Sequence, residues 1–292
     1  MSFSTGSLYT YPLATTFALA QQVGLRDVEL VLGPESLWRG AAATGRLAAA
    51  YGLAIRSVHP PVLPLPGWTD PATVLQRLLG YAVELFPTPL VVLHAPRLRR
   101  IAETAMGRRF LEALAAWRAG PSASRVPIAL ETPGLFSAAD RALELFDVAA
   151  LAAFAAREGL ATTLDTAHVG SLPCNPLDAY ALLRDGLANI HLSDLRPVPG
   201  FLDISVLQSY IKHHQLPGEG VLPLAALLQA LRRDGYAGLL TLELSPLALG
   251  FWSRAHVRRR LGRAVVWMEE TSEVGASADA LEMAQAAVRA AD

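Results

Sequence analysis

Short apolar runs recur along the chain, and most are followed by a stretch with helical periodicity. Val28-Glu-Leu-Val-Leu32 precedes a helical stretch from Ser36 to Tyr51. Ala54-Ile-Arg-Ser-Val-His59 precedes a proline-rich loop (Pro60, Pro61, Pro64, Pro66) and a helix over Pro71 to Phe86. Leu90-Val-Val-Leu-His94 leads to a helix over Glu103 to Arg118, and Ile128-Ala-Leu-Glu131 to a long one over Ala138 to Glu158. Thr162-Thr-Leu-Asp165 is followed by a shorter helix, Pro176 to Arg184. Asn189-Ile-His191 is followed by a long loop and a helix from Leu222 to Arg233. Leu240-Thr-Leu-Glu243 precedes a last large helix, Trp252 to Glu270. An opening strand over Phe3 to Leu8, with a helix over Ala14 to Val23, completes eight strand–helix units. Such alternation implies a parallel sheet covered by helices. Eight units favour closure into a (β/α)8 TIM barrel. An open doubly wound sheet would need a glycine-rich phosphate loop after an early strand, and no such pattern is present. Gly24, Gly52, Gly159, Gly186 and Gly235 each lie just past a helical run, where helices stop. The barrel is expected over residues 1–272, with a C-terminal helical extension over 273–292; its segment from Ser277 to Ala290 reads as an amphipathic helix, with partial disorder as the alternative.

Composition narrows the class. The chain has 292 residues, 52% of them hydrophobic, enough to bury a sizeable core. The formal net charge of −1 supplies no global field for nucleic acid or an anionic membrane. Cys174 is the only cysteine, which excludes an internal disulfide. Lys212 is the only lysine, so Schiff-base chemistry would rest on that residue alone. No apolar run is long enough to span a bilayer, and no basic segment precedes an apolar one at the N-terminus. A cytoplasmic location is expected.

Four of the apolar runs end on Glu131, Asp165, His191 and Glu243. A carboxylate at a strand end inside a compact domain is costly unless something pairs with it. In a barrel those ends converge on one mouth. The mixed carboxylate–imidazole set suits Zn, Mn or Co and tolerates Mg; the bland alternative is a ring of salt bridges. His59 and His94 end neighbouring strands in similar contexts, Val-His-Pro and Leu-His-Ala-Pro. Both are expected near Glu131, where they could hold a second ion or touch a substrate hydroxyl. His168 follows Asp165 by three, which carries it onto the loop over the pocket. Asp194 follows His191 by three and could orient that imidazole, while Arg196 could hold an anionic substrate group or form a surface ion pair. Of the pair His213 and His214, the former is the stronger pocket candidate. The glycines of Pro217-Gly-Glu-Gly220 would permit close approach to a ligand. Arg254, Arg258, Arg259, Arg260 and Arg263 read as a solvated helix face rather than a phosphate-binding rim.

Five stretches carry a family resemblance: Leu130-Glu-Thr-Pro-Gly134, Leu164-Asp-Thr-Ala-His168, Ile190-His-Leu-Ser-Asp194, Leu216-Pro-Gly-Glu-Gly220, and Gly235-Tyr-Ala-Gly238 leading to Leu242-Glu-Leu244. On these the chain resembles the xylose isomerase-like TIM-barrel superfamily, from about Val28 to Ser245. That superfamily includes sugar isomerases and epimerases, inosose-pathway enzymes and endonuclease IV-type repair enzymes. In the epimerase branch the resemblance implies one divalent ion on Glu131, Asp165, His191 and Glu243. The two glutamates then move protons, and His168 touches substrate. The endonuclease branch adds His59, His94, His168 and His213 and holds three zinc ions. It also needs an aspartate where this chain has Ile211.

The expected function is therefore a divalent-metal-dependent isomerase or epimerase of a sugar or sugar phosphate. It would work through a metal-stabilised enediolate. Glu131 and Glu243 are its expected acid and base, and His168, Arg196, His59, His94 and His213 its substrate contacts. The alternatives are a zinc-dependent phosphodiesterase acting on abasic DNA and a non-catalytic sugar-binding barrel. The near-neutral charge speaks against DNA. Family habit points to a homo-oligomer.

Overall fold

A computed structural model describes residues 1–63, 65–120, 126–198 and 211–289. Eight parallel strands close into a barrel in chain order. They are β1 (Ser2–Ser4), β2 (Asp27–Val31), β3 (Ala54–His59), β4 (Leu90–His94), β5 (Ile128–Glu131), β6 (Ala161–Asp165), β7 (Leu187–Leu192) and β8 (Leu239–Leu242). Pairing of β1 with β8 completes the ring. The (β/α)8 architecture expected from the alternation is the one observed.

Successive strand residues face opposite sides of a sheet, and this parity sorts the side chains. Leu93, Leu130, Leu164, Ile190 and Leu242 face outward and join the main core under the helices. The opposite parity faces the barrel interior. There Leu90, Val92 and Ala129 form a separate apolar cluster, with Ala161, Ala188 and Leu239 packed against it. A polar layer lies above it: Glu29, Ser57, Thr163, Asn189 and Thr241, all at 0% exposure. Two residues further along the same parity come His94, Glu131, Asp165 and His191. The register aligns His94 with Glu131 and Asp165 with His191 across neighbouring strands.

The helices follow their apolar stripes. In the helix Leu224–Arg233, Leu224, Leu227, Leu228 and Leu231 are buried on one face. The departures from expectation have local causes. The stretch from Ser36 to Tyr51 is two helices, Pro34–Arg39 and Ala41–Ala50, because Gly40 takes φ 77° between them. The stretch from Ala138 to Glu158 is a 3-10 turn, Ala138–Ala142, followed by a helix from Val148 to Glu158. Asp140 accepts the backbone N–H groups of Phe136 and Ser137, and Asp147 accepts that of Ala150. These side-chain bonds compete with one continuous helix. The opening strand is shorter than expected, and Thr5–Leu8 forms a 3-10 turn instead. Two short helices at the mouth, Thr166–Gly170 and Pro246–Leu249, went unread in the sequence. The backbone of the last helix runs unbroken from Arg254 to Arg289. Among the described residues no helix is long and apolar enough to cross a membrane.

Candidate active site

Glu131 and Asp165 end β5 and β6, His191 lies one residue before the end of β7, and Glu243 directly follows β8. One ligand-type atom from each lies within 4.8 Å of all the others. His191 Nδ1 is 2.7 Å from Glu243 Oε2, 3.0 Å from Glu131 Oε1 and 3.9 Å from Asp165 Oδ2. Asp165 Oδ2 and Glu243 Oε2 are buried without a hydrogen-bond partner among the described residues; the short His191–Glu243 contact is an ion pair lacking hydrogen-bond alignment. Buried carboxylate oxygens left without hydrogen bonds around one point are costly, and a shared cation would remove that cost. Three carboxylates and one imidazole nitrogen therefore fit a divalent ion.

The orientation of His191 comes from a residue that sequence reasoning passed over. Its Nε2–H donates to Glu29 Oε2 at 3.0 Å, across the barrel interior from β2. Ser57 Oγ donates to the same oxygen at 2.9 Å, and Asn189 Nδ2 reaches it at 3.5 Å. Thr241 Oγ1 in turn donates to Asn189 Oδ1 at 3.0 Å. With Nε2 committed to Glu29, Nδ1 is the nitrogen that faces the cage, the arrangement by which carboxylates orient liganding histidines. A carboxylate in the middle of Val28-Glu-Leu-Val-Leu32 was the available signal. It carries the same oddity as the strand-end acids.

Asp194, the expected partner of His191, does something else. Its carboxylate accepts the backbone N–H groups of Leu195, Gly218, Gly220 and Leu222 at 2.8 to 3.1 Å. It therefore shapes the loop after β7. The close approach that Gly220 permits is to this carboxylate: a Cβ there would stand 2.3 Å from Asp194 Oδ1. Arg196 also departs from expectation. Its side chain is half exposed, lies 3.7 Å from Glu219, and does not line the cavity over the cage.

The histidines divide in the same way. His59 Nδ1–H donates to the Pro60 carbonyl at 2.8 Å, which turns Nε2 toward Glu131 Oε2 at 3.4 Å. His94 Nε2 is 3.1 Å from the same oxygen. Glu131 thus presents one oxygen to His59 and His94 and the other to His191, and His59, His94 and Glu131 form a second compact donor group. Asp165, His168 and His214 form a third. Asp165 Oδ1 accepts the His168 backbone N–H at 2.8 Å, and His168 Nδ1–H donates to the Thr132 carbonyl at 3.0 Å. His214, at φ 54°, faces this group, while the ring of His213 is fully buried beside Phe136. Neither ring nitrogen of His213 has a partner among the described residues. Burial, with His214, His168 and Lys212 nearby, pushes its pKa down to about 2, so it stays neutral. The expected order of the pair is reversed: the backbone bends at these two residues, and with His214 in the left-handed region its ring lines the cavity while that of His213 is buried.

Charge distribution within the cage is mutual. Burial disfavours the charged form of His191, but Glu29, Glu243 and Glu131 outweigh it and hold the imidazole well above its ordinary range. For His59, burial is outweighed by the hydrogen bond and charge of Glu131, which raise it to about 9. Burial would raise Glu131, yet His191 and His94 hold it well below the usual carboxylate range. Asp165 is pushed up, chiefly by burial. Protons on the imidazoles do here what a metal cation would do in a loaded site, so a cation binding there would release protons.

A cavity of about 510 Å3 opens over the cage. Glu131, Glu243, His59, His94, His168 and His214 line it, whereas Asp165 and His191 lie beneath its floor at 0% exposure. Comparison with known proteins agrees with this barrel fold. A sequence model of the xylose isomerase-like TIM barrel matches residues 17–265. The chain belongs to this family. An uncharacterised protein of Mycobacterium leprae is 29% identical over 267 residues, covering 84% of this chain and 88% of its own. The solved structure of an L-ribulose 3-epimerase superposes with a TM-score of 0.64 at 18% identity, covering 94% of this chain and 97% of that one. A family 2 AP endonuclease from Brucella melitensis superposes at 0.60 and 16% identity, covering 84% and 93%. At these identities the structural likenesses establish the shared barrel.

Proposed function

We propose that this member of the xylose isomerase-like family is a divalent-metal-dependent isomerase or epimerase of a sugar or a related hydroxycarbonyl compound. The observation that carries the reading is the split within the cage. Asp165 and His191 are sealed beneath the floor, while Glu131 and Glu243 belong to the same donor set and also line the cavity. A divalent ion held there would polarise adjacent substrate oxygens and favour the negative charge that develops when the carbon beside them loses a proton. Glu131 and Glu243 are then the two bases that can reach substrate, one removing a proton and the other returning it. His168, whose ring position is set by the Thr132 carbonyl, offers its Nε2 to a substrate hydroxyl. Glu29 keeps the His191 ring turned toward the cage.

The test is proton exchange. The metal-loaded protein, incubated in D2O with a panel of ketoses and related hydroxyketones, should place deuterium beside the carbonyl of its substrates. Exchange that persists undiminished in Glu131→Gln and Glu243→Gln would refute the assignment.

A second reading is a metal-dependent phosphodiesterase. It is favoured by the group of His59, His94 and Glu131, which could make Glu131 a bridge between two ions. Against it, Ile211 and Lys212 precede the histidine pair and bring no carboxylate to the third group. Metal stoichiometry separates the readings: one ion per chain supports the isomerase, and two or three with nicking of an abasic-site duplex support the phosphodiesterase.

A further inference from the structure

Beside the metal cavity lies a smaller one of about 120 Å3, set between the segments that follow β1, β2 and β3. Leu8, Leu13, Val31 and Leu32 line it from the barrel side. Gly6, Tyr9, Val62 and Leu63 line both cavities, so the two share a wall. The polar side chains of the small cavity are already engaged. Thr5 Oγ1 accepts the Val31 N–H, and Thr16 Oγ1 donates to the Pro12 carbonyl. Ser36 Oγ is held by Gly33. Glu35 accepts from Leu13 N–H and from Arg39, and Tyr11 donates to the Phe251 carbonyl. The lining is predominantly apolar. A cavity of this size with mostly apolar walls can accept a hydrocarbon group of about four to six carbons.

We propose that this is the specificity pocket of the active site, and that the substrate is a hydroxycarbonyl compound bearing an apolar substituent rather than a bare sugar or sugar phosphate. The proposal rests on the metal-dependent reading above for the polar end of the substrate. The wall of the metal cavity agrees with it. Its one guanidinium among the described residues, Arg97, is already paired with Asp140 and stacked over Phe136, so a phosphate finds no uncommitted guanidinium there. The polar end would meet the cage, and the apolar end would pass Gly6 into the side pocket. At Gly6 a Cβ would stand 2.8 Å from Val31 Cγ2 and 3.2 Å from Val62 Cγ2, so even alanine crowds the wall that the two cavities share.

Straight-chain hydroxamic acids, which chelate divalent ions through two oxygens, test the proposal on the manganese-loaded protein. Affinity should tighten by about fourfold per methylene from acetohydroxamate to hexanohydroxamate and then level off. The gain should collapse in Gly6→Ala and in Val62→Arg; the second change sits on a half-exposed loop position and does not threaten the fold. A flat series from a protein that does bind acetohydroxamate overturns the proposal and leaves the metal site standing. If acetohydroxamate itself fails to bind, the metal reading is at fault. The pocket is then judged on the metal-free protein by methyl NMR during titration with toluene. Shifts at the methyl groups of Leu8 and Val31 support the pocket, and their silence overturns it.

Discussion

The two sides of the barrel mouth have opposite chemistry. From β4 to β8 the strand ends deliver imidazoles and carboxylates onto one point, above a floor at Asp165 and His191 that water does not reach. From β1 to β3 the strand end at Val31 and the segments that follow the strands deliver leucines, valines and a glycine around an apolar hollow. β3 belongs to both, since His59 turns to Glu131 while Val62 and Leu63 close the hollow. The charged side is positioned by strand register, so it is rigid and suited to proton transfer. The apolar side is positioned by loops, so it can vary in shape without disturbing the chemistry. Under the proposed function, reaction type and substrate choice would be separable in this barrel.

The strongest break in that division is at the glutamates. Glu131→Gln or Glu243→Gln should lower turnover by about a thousandfold, read as the rate of solvent deuterium incorporation. Removal of the metal with a chelator should abolish it, and re-addition should restore it. Next comes the loop that Asp194 organises. Asp194→Ala leaves four backbone N–H groups without their acceptor and should cost about 3 kcal/mol of stability in denaturant unfolding, with little change in metal affinity. Glu29→Gln should do the reverse. It should weaken metal binding by about 10- to 100-fold in a chelator competition, because the His191 ring loses its charged anchor. Equal effects of the two substitutions on metal affinity would erase the distinction drawn between them.

A smaller effect is expected from pH. His59 holds its proton up to about 9 in the folded, metal-free protein, against 6.5 for the free side chain. Its contribution to stability is complete below pH 6.5 and fades as pH rises toward 9. The Tm of metal-free protein should therefore fall over that window, and the fall should be shallower in the loaded protein, where a cation on Glu131 and Glu243 would offset the negative charge that holds the His59 proton. The smallest effect belongs to Arg196→Ala, which should leave turnover within about twofold, since that guanidinium lies at the rim beside Glu219.

Much of this was legible in the chain. Apolar runs of strand length, each followed by helical periodicity, specify the strand–helix alternation, and glycines mark the helix ends. Acids and histidines at strand ends stand out because burial without a partner is costly. Glu131, Asp165, His191 and Glu243 were therefore visible before any coordinates. Less legible were the breaks at Gly40 and Asp147, where a backbone angle or a side-chain cap outweighed periodicity. Glu29 was hidden because it lies inside an apolar run rather than at its end, and because its partner is 162 positions away.

What the sequence determined by itself is local: which segments extend, which coil, and which residues share a strand face, all consequences of periods of two and 3.6 residues. Tertiary structure decided who meets whom. Closure of the ring brought Glu29 to His191, committed Asp194 to a loop, turned His214 rather than His213 to the pocket, and set an apolar hollow beside the charged cage. These choices depend on register and loop packing between distant segments, and no short-range pattern carries that information.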